Sequence, residues 1–383
     1  MALPLMREFK QGTDELYAKF VTAWARSDAI FDIVGRTGML AKPIVWRHPF
    51  IFYVGHLPAF SWNQICGGIL EWKSFNRYFD ELFCRGIDPD VDTGECHWHP
   101  DVPQEWPTLA ETVVYRDKVR GAILESLEAL PYCYSNQVMA RGGRVFRMVL
   151  EHEYMHQETL LYMMQQLPLA EKQRPRAMST YHYDAAAANR LVRIPAGRAR
   201  LGARFEHLPF GWDNEFGEIF INVPEFGIDA LPVTNGEFLE FVEAGGYRSE
   251  SFWQPADWSW KNLERKTQPA CWVRRNHSWF YRGMFDQWPL EQVASWPVYV
   301  SLAEARAYAR WRGKRLPTEA EYQRAAFHGP DGRESRYPLG ATTHPRRAAA
   351  ILISITGRRC RWVRVLQVRA AGACKSSSAT AGS

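Results

Sequence analysis

Glu151-His152-Glu153-Tyr154-Met155-His156-Gln157-Glu158 is the stretch whose reading decides how the first half of this chain folds. It lies in a segment whose apolar stripe runs Val145, Val149, His152, His156, Leu160, Met163 and Leu167. Steps of three and four residues are the period of one helical face, so both histidines ride on a stripe made otherwise of core side chains. Four residues of separation put two rings about 6 Å apart on one face, a spacing that a single metal ion can bridge. A buried neutral imidazole needs partners for its nitrogens, and Glu153 or Glu158 could accept a hydrogen bond from one of them. Two satisfied core histidines are the plainer reading of the same pattern, and a third ligand is what separates the two.

Working outward, residues 13–34, 56–83, 108–130 and 144–167 all repeat apolar positions at three- and four-residue steps and are broken by Pro and Gly. Four such segments predict an antiparallel bundle. His56, in Arg47-His-Pro-Phe-Ile-Phe-Tyr-Val-Gly-His56, falls on the second, which a bundle would bring against the fourth. His48 precedes Pro49 and is expected to cap or pack the helix start. His97 and His99, in Cys96-His-Trp-His, could form a separate site, but no second cluster completes four ligands. They sit in an acidic loop, roughly residues 85–107, too long for a simple turn and therefore a candidate functional loop. His152-Glu-Tyr-Met-His156 also satisfies H-E-x-x-H, the zinc-protease pattern, yet residues 157–190 offer no obvious third ligand for such a site.

From Pro168 to Asn189 the periodicity fades, and beyond it the texture changes. Leu191-Val-Arg-Ile and Glu218-Ile-Phe-Ile-Asn-Val read as short strands. Three helices are expected among them, each opening with a capping box: Thr234/Glu237, Ser301/Glu304 and Thr318/Glu321. The middle one is expected to stop at Gly313. The domains expected are therefore 1–180, a helical bundle with the metal site, 190–340, an α+β domain, and 341–383, a basic, disordered tail. That tail carries eight basic residues and no acid, so the body holds 39 basic against 42 acidic residues, a net charge of −3 rather than +5. A mildly acidic body gives no support for a nucleic-acid partner. After Ala341, Asp, Glu, Phe and Tyr vanish together while Ala, Arg and Ser accumulate, the texture expected of a frameshift or premature end.

No basic flank followed by an apolar run opens the chain, and no apolar stretch of about 20 residues follows, so neither secretion nor a membrane span is expected. Seven scattered cysteines without a C-x-x-C pair fit reduced thiols and a cytoplasmic setting. An aromatic content of 14%, with 16 Trp, points to ring-lined surfaces as well as ring-filled cores.

The motifs together resemble a known family. His48-Pro-Phe-Ile-Phe-Tyr-Val-Gly-His56, Glu151-His152-Glu-Tyr-Met-His156-Gln-Glu158, and then Gly211-Trp-Asp-Asn-Glu215, Pro232-Val-Thr-Asn235, Trp296-Pro-Val and Arg312-Gly-Lys-Arg-Leu-Pro-Thr-Glu-Ala-Glu321 are the matching stretches. Over about residues 10–340 the chain resembles the iron-dependent sulfoxide synthases of ergothioneine and ovothiol biosynthesis and their selenoneine-forming relatives. The resemblance implies an α+β protein: a DinB-like four-helix bundle followed by an incomplete C-type-lectin-like domain of the sulfatase-modifying-factor, or formylglycine-generating-enzyme, kind. It implies His56, His152 and His156 as ligands of Fe(II), a histidine betaine as acceptor, a thiol or selenosugar as donor, and O2 as oxidant. Three nitrogens fill half of an octahedron and leave room for those partners.

Three departures qualify it. Thiol-using members hold donor carboxylates with arginines in the loop after the first ligand, whereas Arg85 is the only arginine between Cys84 and Trp106, which looks more like the selenoneine branch. Met155 stands where ergothioneine-type enzymes can place a polar contact to the substrate. Past Tyr337-Pro-Leu-Gly340 the family's Asn- and Trp-rich segment and its active-site Tyr are missing, so no catalytic residue is assigned. Two other readings stand beside this one: a zinc-dependent DinB-like thiol transferase using the same histidines, and a non-catalytic binding module.

Overall fold

The stripe that carries His152 and His156 folds as one wall of a helical bundle. The computed structural model describes residues 2–45, 47–84, 103–129, 137–175, 189–329 and 333–335, with side chains from residue 12 onward. Most of the acidic loop, with His97 and His99, most of the 168–189 link, and the 341–383 tail lie outside the described residues.

Helix α1 spans Ala2–Val34, starting well before the expected residue 13, and buries Leu16, Phe20, Ala23, Ile30 and Val34 at helical spacing. Helix α2 spans Phe50–Ser61, α3 Arg77–Leu82, α4 Leu109–Ala129 and α5 Arg144–Gln166. Each long helix packs on two others, α2 on α4 and α5, and α1 on α4 and α5, which closes the four into a bundle.

The expected single helix over 56–83 is not formed. Helix α2 starts earlier, directly after Pro49, whose fixed φ suits a helix entry. It then widens into a π-helical turn at Trp62–Gly67, and Gly68 follows. Pro58 inside α2 cannot donate a backbone hydrogen bond, and two successive glycines add no side chain to hold the turn. Asn76 opens α3 anew by accepting the Phe79 N–H at 3.1 Å. Asp80, buried in α3, accepts from Tyr115 Oη at 2.6 Å and from Ser74. These bonds tie the short helix to α4.

The chain divides into two compact units, Met1–Arg176 with Ala203–Phe216, and Ala177–Gly202 with Gly217–Ser383. In the second, β1 (Leu191–Ile194) pairs antiparallel with β4 (Phe226–Asp229), and β2 (Gly197–Leu201) with β3 (Ile219–Val223). Strands β5 (Trp272–Arg275), β6 (Ser278–Arg282) and β7 (Gln287–Pro289) form a three-stranded antiparallel sheet in that order. Asn276 and His277, with φ of 46° and 69°, make the two-residue turn between β5 and β6 that such a hairpin demands.

Four α-helices accompany these strands among the described residues: α6 (Asn235–Glu243), α7 (Pro255–Leu263), α8 (Leu302–Trp311) and α9 (Glu319–Phe327). The three capping boxes open α6, α8 and α9, and Gly313, at φ +68°, ends α8. Helix α7 is the one the capping signal did not reach. It opens on Pro255 in its first turn, and its preceding residue, Gln254, makes no side-chain cap.

Phe238, Phe241, Trp253, Trp272, Trp288, Trp296 and Tyr308 fill one core, where most of the tryptophans of this half are spent. Of the landmark residues, Asn235 and Trp296 hold that core together. Buried Asn235 donates to the Val293 carbonyl at 3.0 Å and accepts the Trp272 indole N–H at 3.1 Å. Arg315 makes a two-pronged pair with Glu321 at 2.7 and 2.6 Å. That guanidinium, with the Thr318 N–H and hydroxyl, holds the Glu321 carboxyl down at about 2.

Candidate metal centre

Three imidazoles converge inside the bundle. His56 comes from the middle of α2, while His152 and His156 come from one face of α5, one turn apart. His56 and His152 are buried, and His156 is partly so. The Nε2 atom of His156 lies 3.2 Å from that of His56 and 3.1 Å from that of His152. Ring centroids are 4.4 to 5.0 Å apart. Among the described residues this is the group of three potential ligands whose donor atoms all fall within 4.8 Å of one another.

One orientation is set by the backbone. His56 Nδ1 is 2.7 Å from the carbonyl oxygen of Phe83, just past the end of α3. A carbonyl only accepts, so Nδ1 carries the hydrogen and Nε2 of neutral His56 presents a lone pair to the other two rings. Hydrogen bonding among the three rings serves them badly. If His156 Nε2 is bare, it faces the His56 lone pair; if it holds a hydrogen, that single hydrogen has two neighbouring nitrogens, 3.2 and 3.1 Å away, to serve. His156 Nδ1 is also buried without a hydrogen-bond partner. Three lone pairs aimed at one point are instead what a cation accepts, and this donor set fits a divalent metal that favours imidazole nitrogen.

The charge states agree with that fit. Burial pushes His56 from its ordinary 6.5 down to about 4, with the Phe83 carbonyl pulling the other way. Burial, the His56 ring and the Arg47 charge push His156 down to about 3, and burial with both neighbours holds His152 well below its usual range. All three are neutral near pH 7, and a neutral imidazole is the form that coordinates.

Aromatic rings wall the site. Phe60 stacks on His152 at 3.7 Å, Phe52 on His56 at 4.9 Å, and Tyr53 lies 5.5 Å from the His156 ring. Burial pushes the Tyr53 phenol up to about 12, so it keeps its proton. His48 packs on Phe52 at 4.1 Å, and the helix cap at Pro49 uses no side chain.

The expectation that Glu153 or Glu158 supports the histidines is not met. Glu153 is buried but accepts from Ser27 of α1, and Glu158 is exposed. At about 100° per residue, Glu153 points a quarter-turn away from His152, and Glu158 points to the far side of α5 from His156. The same turn removes the Glu of the H-E-x-x-H pattern from the imidazoles. The supporting group is the Phe83 carbonyl, and a backbone oxygen leaves no mark in residue type.

Comparison with known proteins gives the same pairing of parts. The DinB superfamily model matches residues 19–160, and the sulfatase-modifying factor enzyme 1-like domain matches residues 179–364. The chain thus matches a DinB domain followed by a sulfatase-modifying-factor domain. This bears out the resemblance read from the motifs, and with it the α+β architecture of a helical domain followed by a sheet-containing one. Among similar proteins is "Ergothioneine biosynthesis protein 1" of Neurospora crassa, 30% identical over 335 residues, covering 78% of this chain and 37% of that protein. "Hercynine oxygenase" of Mycolicibacterium thermoresistibile is 33% identical over 223 residues, covering 58% and 47%. "Inactive C-alpha-formylglycine-generating enzyme 2" of Bos taurus is 33% identical over 170 residues, covering 41% and 54%. The chain thus spans about half, or less, of the length of these relatives. The second match runs to residue 364, past the change of texture after Ala341.

Proposed function

We propose that this chain is a non-heme iron(II) enzyme that uses O2 to join sulfur or selenium to the imidazole carbon of a histidine betaine, with His56, His152 and His156 as the metal ligands. The observation that carries the reading is the convergence of three neutral Nε2 atoms at 3.1 and 3.2 Å. A relative named for hercynine, which is histidine betaine, supports the acceptor. With a thiol donor the balance is one S–H and one imidazole C–H lost, one oxygen atom retained on sulfur and the other leaving as water.

Iron, when bound, would supply the redox partner for oxygen and a charge that favours an ionised chalcogen. The protein's own contribution is positional. The Phe83 carbonyl keeps His56 in the tautomer that bares Nε2, α5 holds its two rings in step, and Phe52 and Phe60 cover one face of His56 and of His152 respectively. The lone Arg85 of the loop supports a selenosugar donor over a cysteine-type thiol. A cytoplasmic setting is supported by Cys66, Cys84 and Cys271, all free. The partners of this reading are small molecules, with no nucleic acid and no membrane; no described helix is long and apolar enough to cross a membrane.

The test is anaerobic loading with Fe(II), then oxygen uptake and product mass with histidine betaine and cysteine, γ-glutamylcysteine or a selenosugar. A product carrying the new C–S or C–Se bond is expected. Retained zinc with thiol transfer and no oxygen uptake would identify a zinc-dependent transferase instead. Betaine binding without metal, unchanged in His156→Ala, would identify a binding module.

A further inference from the structure

The first unit holds a second hollow, apart from the metal centre. At about 100° per residue, Arg147 and Tyr154 lie on the face of α5 opposite His152 and His156, with Glu151 beside them. Residues 209–215 belong to the same compact unit and face that side of the helix. Between the two lies a cavity of about 340 Å³, lined by Arg147, Glu151, Tyr154, Phe210, Trp212 and Glu215 among others. That volume is at the lower end of the range of small-molecule sites. Gly211-Trp212-Asp213-Asn214-Glu215, a motif the three imidazoles leave unused, supplies one wall.

The motif holds its side chains in a fixed turn. The Glu215 carboxylate accepts the Trp212 N–H at 2.8 Å, and the Glu215 N–H returns to the Trp212 carbonyl at 2.9 Å. One turn therefore fixes an indole and a carboxylate together. Gly211 makes room for it, since a Cβ there would lie 2.9 Å from the Phe216 ring and 3.5 Å from the Glu215 carboxylate. Phe210 meets Trp212 edge-on at 5.2 Å, and both rings, like Tyr154, are partly exposed. On the α5 wall, burial and then the Glu215 charge push the Glu151 carboxyl up, so two acids share this space at a cost that a cation between them would relieve. Aromatic faces favour the same guest, an ammonium group. Arg147 brings the opposite sign to the α5 wall, with its Nε buried and without a hydrogen-bond partner. Lys19, which also lines the cavity, is paired with Glu15. A planar guanidinium fork suits a carboxylate.

We propose that this hollow binds a small zwitterion of the amino-acid type, its ammonium group held by Trp212, Phe210 and the Glu151 and Glu215 carboxylates, and its own carboxylate held by Arg147. A lone cation would meet Arg147 and Lys19 as well as the acids, and a lone anion would meet Glu151 and Glu215. A molecule that carries both charges satisfies both. The site is separate from the three imidazoles, because it lies on the other side of the helix that carries two of them.

The experiment is isothermal titration of the full chain with two matched series of near-isosteres. Glycine is set against propionate and ethanolamine, and glycine betaine against 3,3-dimethylbutyrate and choline, so that each zwitterion is compared with an anion and a cation of its own shape. In one series the zwitterion should bind at least about tenfold tighter than either single charge, the gain from one charge-assisted contact. The series in which it does so names a free or a methylated ammonium. Glu215→Gln can still accept the Trp212 N–H, so the turn is kept; it should weaken the zwitterion about tenfold without weakening the anion. Arg147→Gln should weaken the zwitterion about tenfold without weakening the cation. A loss of shape alone would weaken all three probes together. No preference in either series, or one that survives either substitution, overturns the inference. The preference should also persist in His156→Ala; its loss there would place the binding at the metal centre and overturn the inference as well.

Discussion

Gly55, next to His56 on α2, is where packing and site geometry meet. A Cβ added there would lie 2.5 Å from three atoms of the Phe83 ring. Phe83 is fully buried, with Phe52, Phe79, Tyr115 and Trp106 around it at centroid distances of 5.4 to 6.3 Å. The ring therefore has no empty direction to take. Gly55→Ala should gain about 1 kcal/mol from helix propensity and lose about 3 kcal/mol to overpacking, the upper end for a rigid surround. The net expectation is a loss of about 2 kcal/mol. Displacing Phe83 also displaces the carbonyl that orients His56, so metal affinity should fall about 10- to 100-fold, as it does when a ligand's outer partner is removed. Urea unfolding measures the first effect and competition with a chelator the second. Phe83→Leu in the same chain should restore part of both. A Gly55→Ala protein as stable as the parent, with unchanged metal affinity, would show that Phe83 yields freely and does not orient His56.

His156→Ala removes the ring that touches both others, so metal content after anaerobic loading should fall from one equivalent to near zero; retention of a full equivalent would refute the ligand assignment. For acid sensitivity, His56 has a folded value of about 4 against 6.5, so the unfolded chain binds a proton that the folded one refuses between those limits. Its contribution to stability is complete above about pH 6.5 and falls by about 1.4 kcal/mol per pH unit down to about pH 4, with His156 acting in the same direction. Urea midpoints of the metal-free protein at pH 7.5 and 5 should differ accordingly, and equal midpoints would count against buried neutral rings. Asn235→Ala strands the Trp272 indole and the Val293 carbonyl in the second core and should cost about 2–4 kcal/mol, read by thermal unfolding.

The sequence was most readable where a signal is local. The apolar period placed α4 and α5 to within a residue or two, the hydroxyl and Glu three apart marked the starts of α6, α8 and α9, and four-residue spacing set His152 and His156 on one face. Each of these depends on a few neighbouring side chains and the fixed geometry of a helical turn. Local signals also misled: the apolar period continued through 56–83, although the chain leaves the α-helix at Trp62 and re-enters only at Arg77. Only the tertiary structure decided what each buried polar group touches. It turned Glu153 toward Ser27, gave His56 the carbonyl of Phe83, and set Arg47 over the Tyr162 ring. Those partners lie on other elements, and a backbone oxygen is the same in every residue, so no spacing along the chain encodes them.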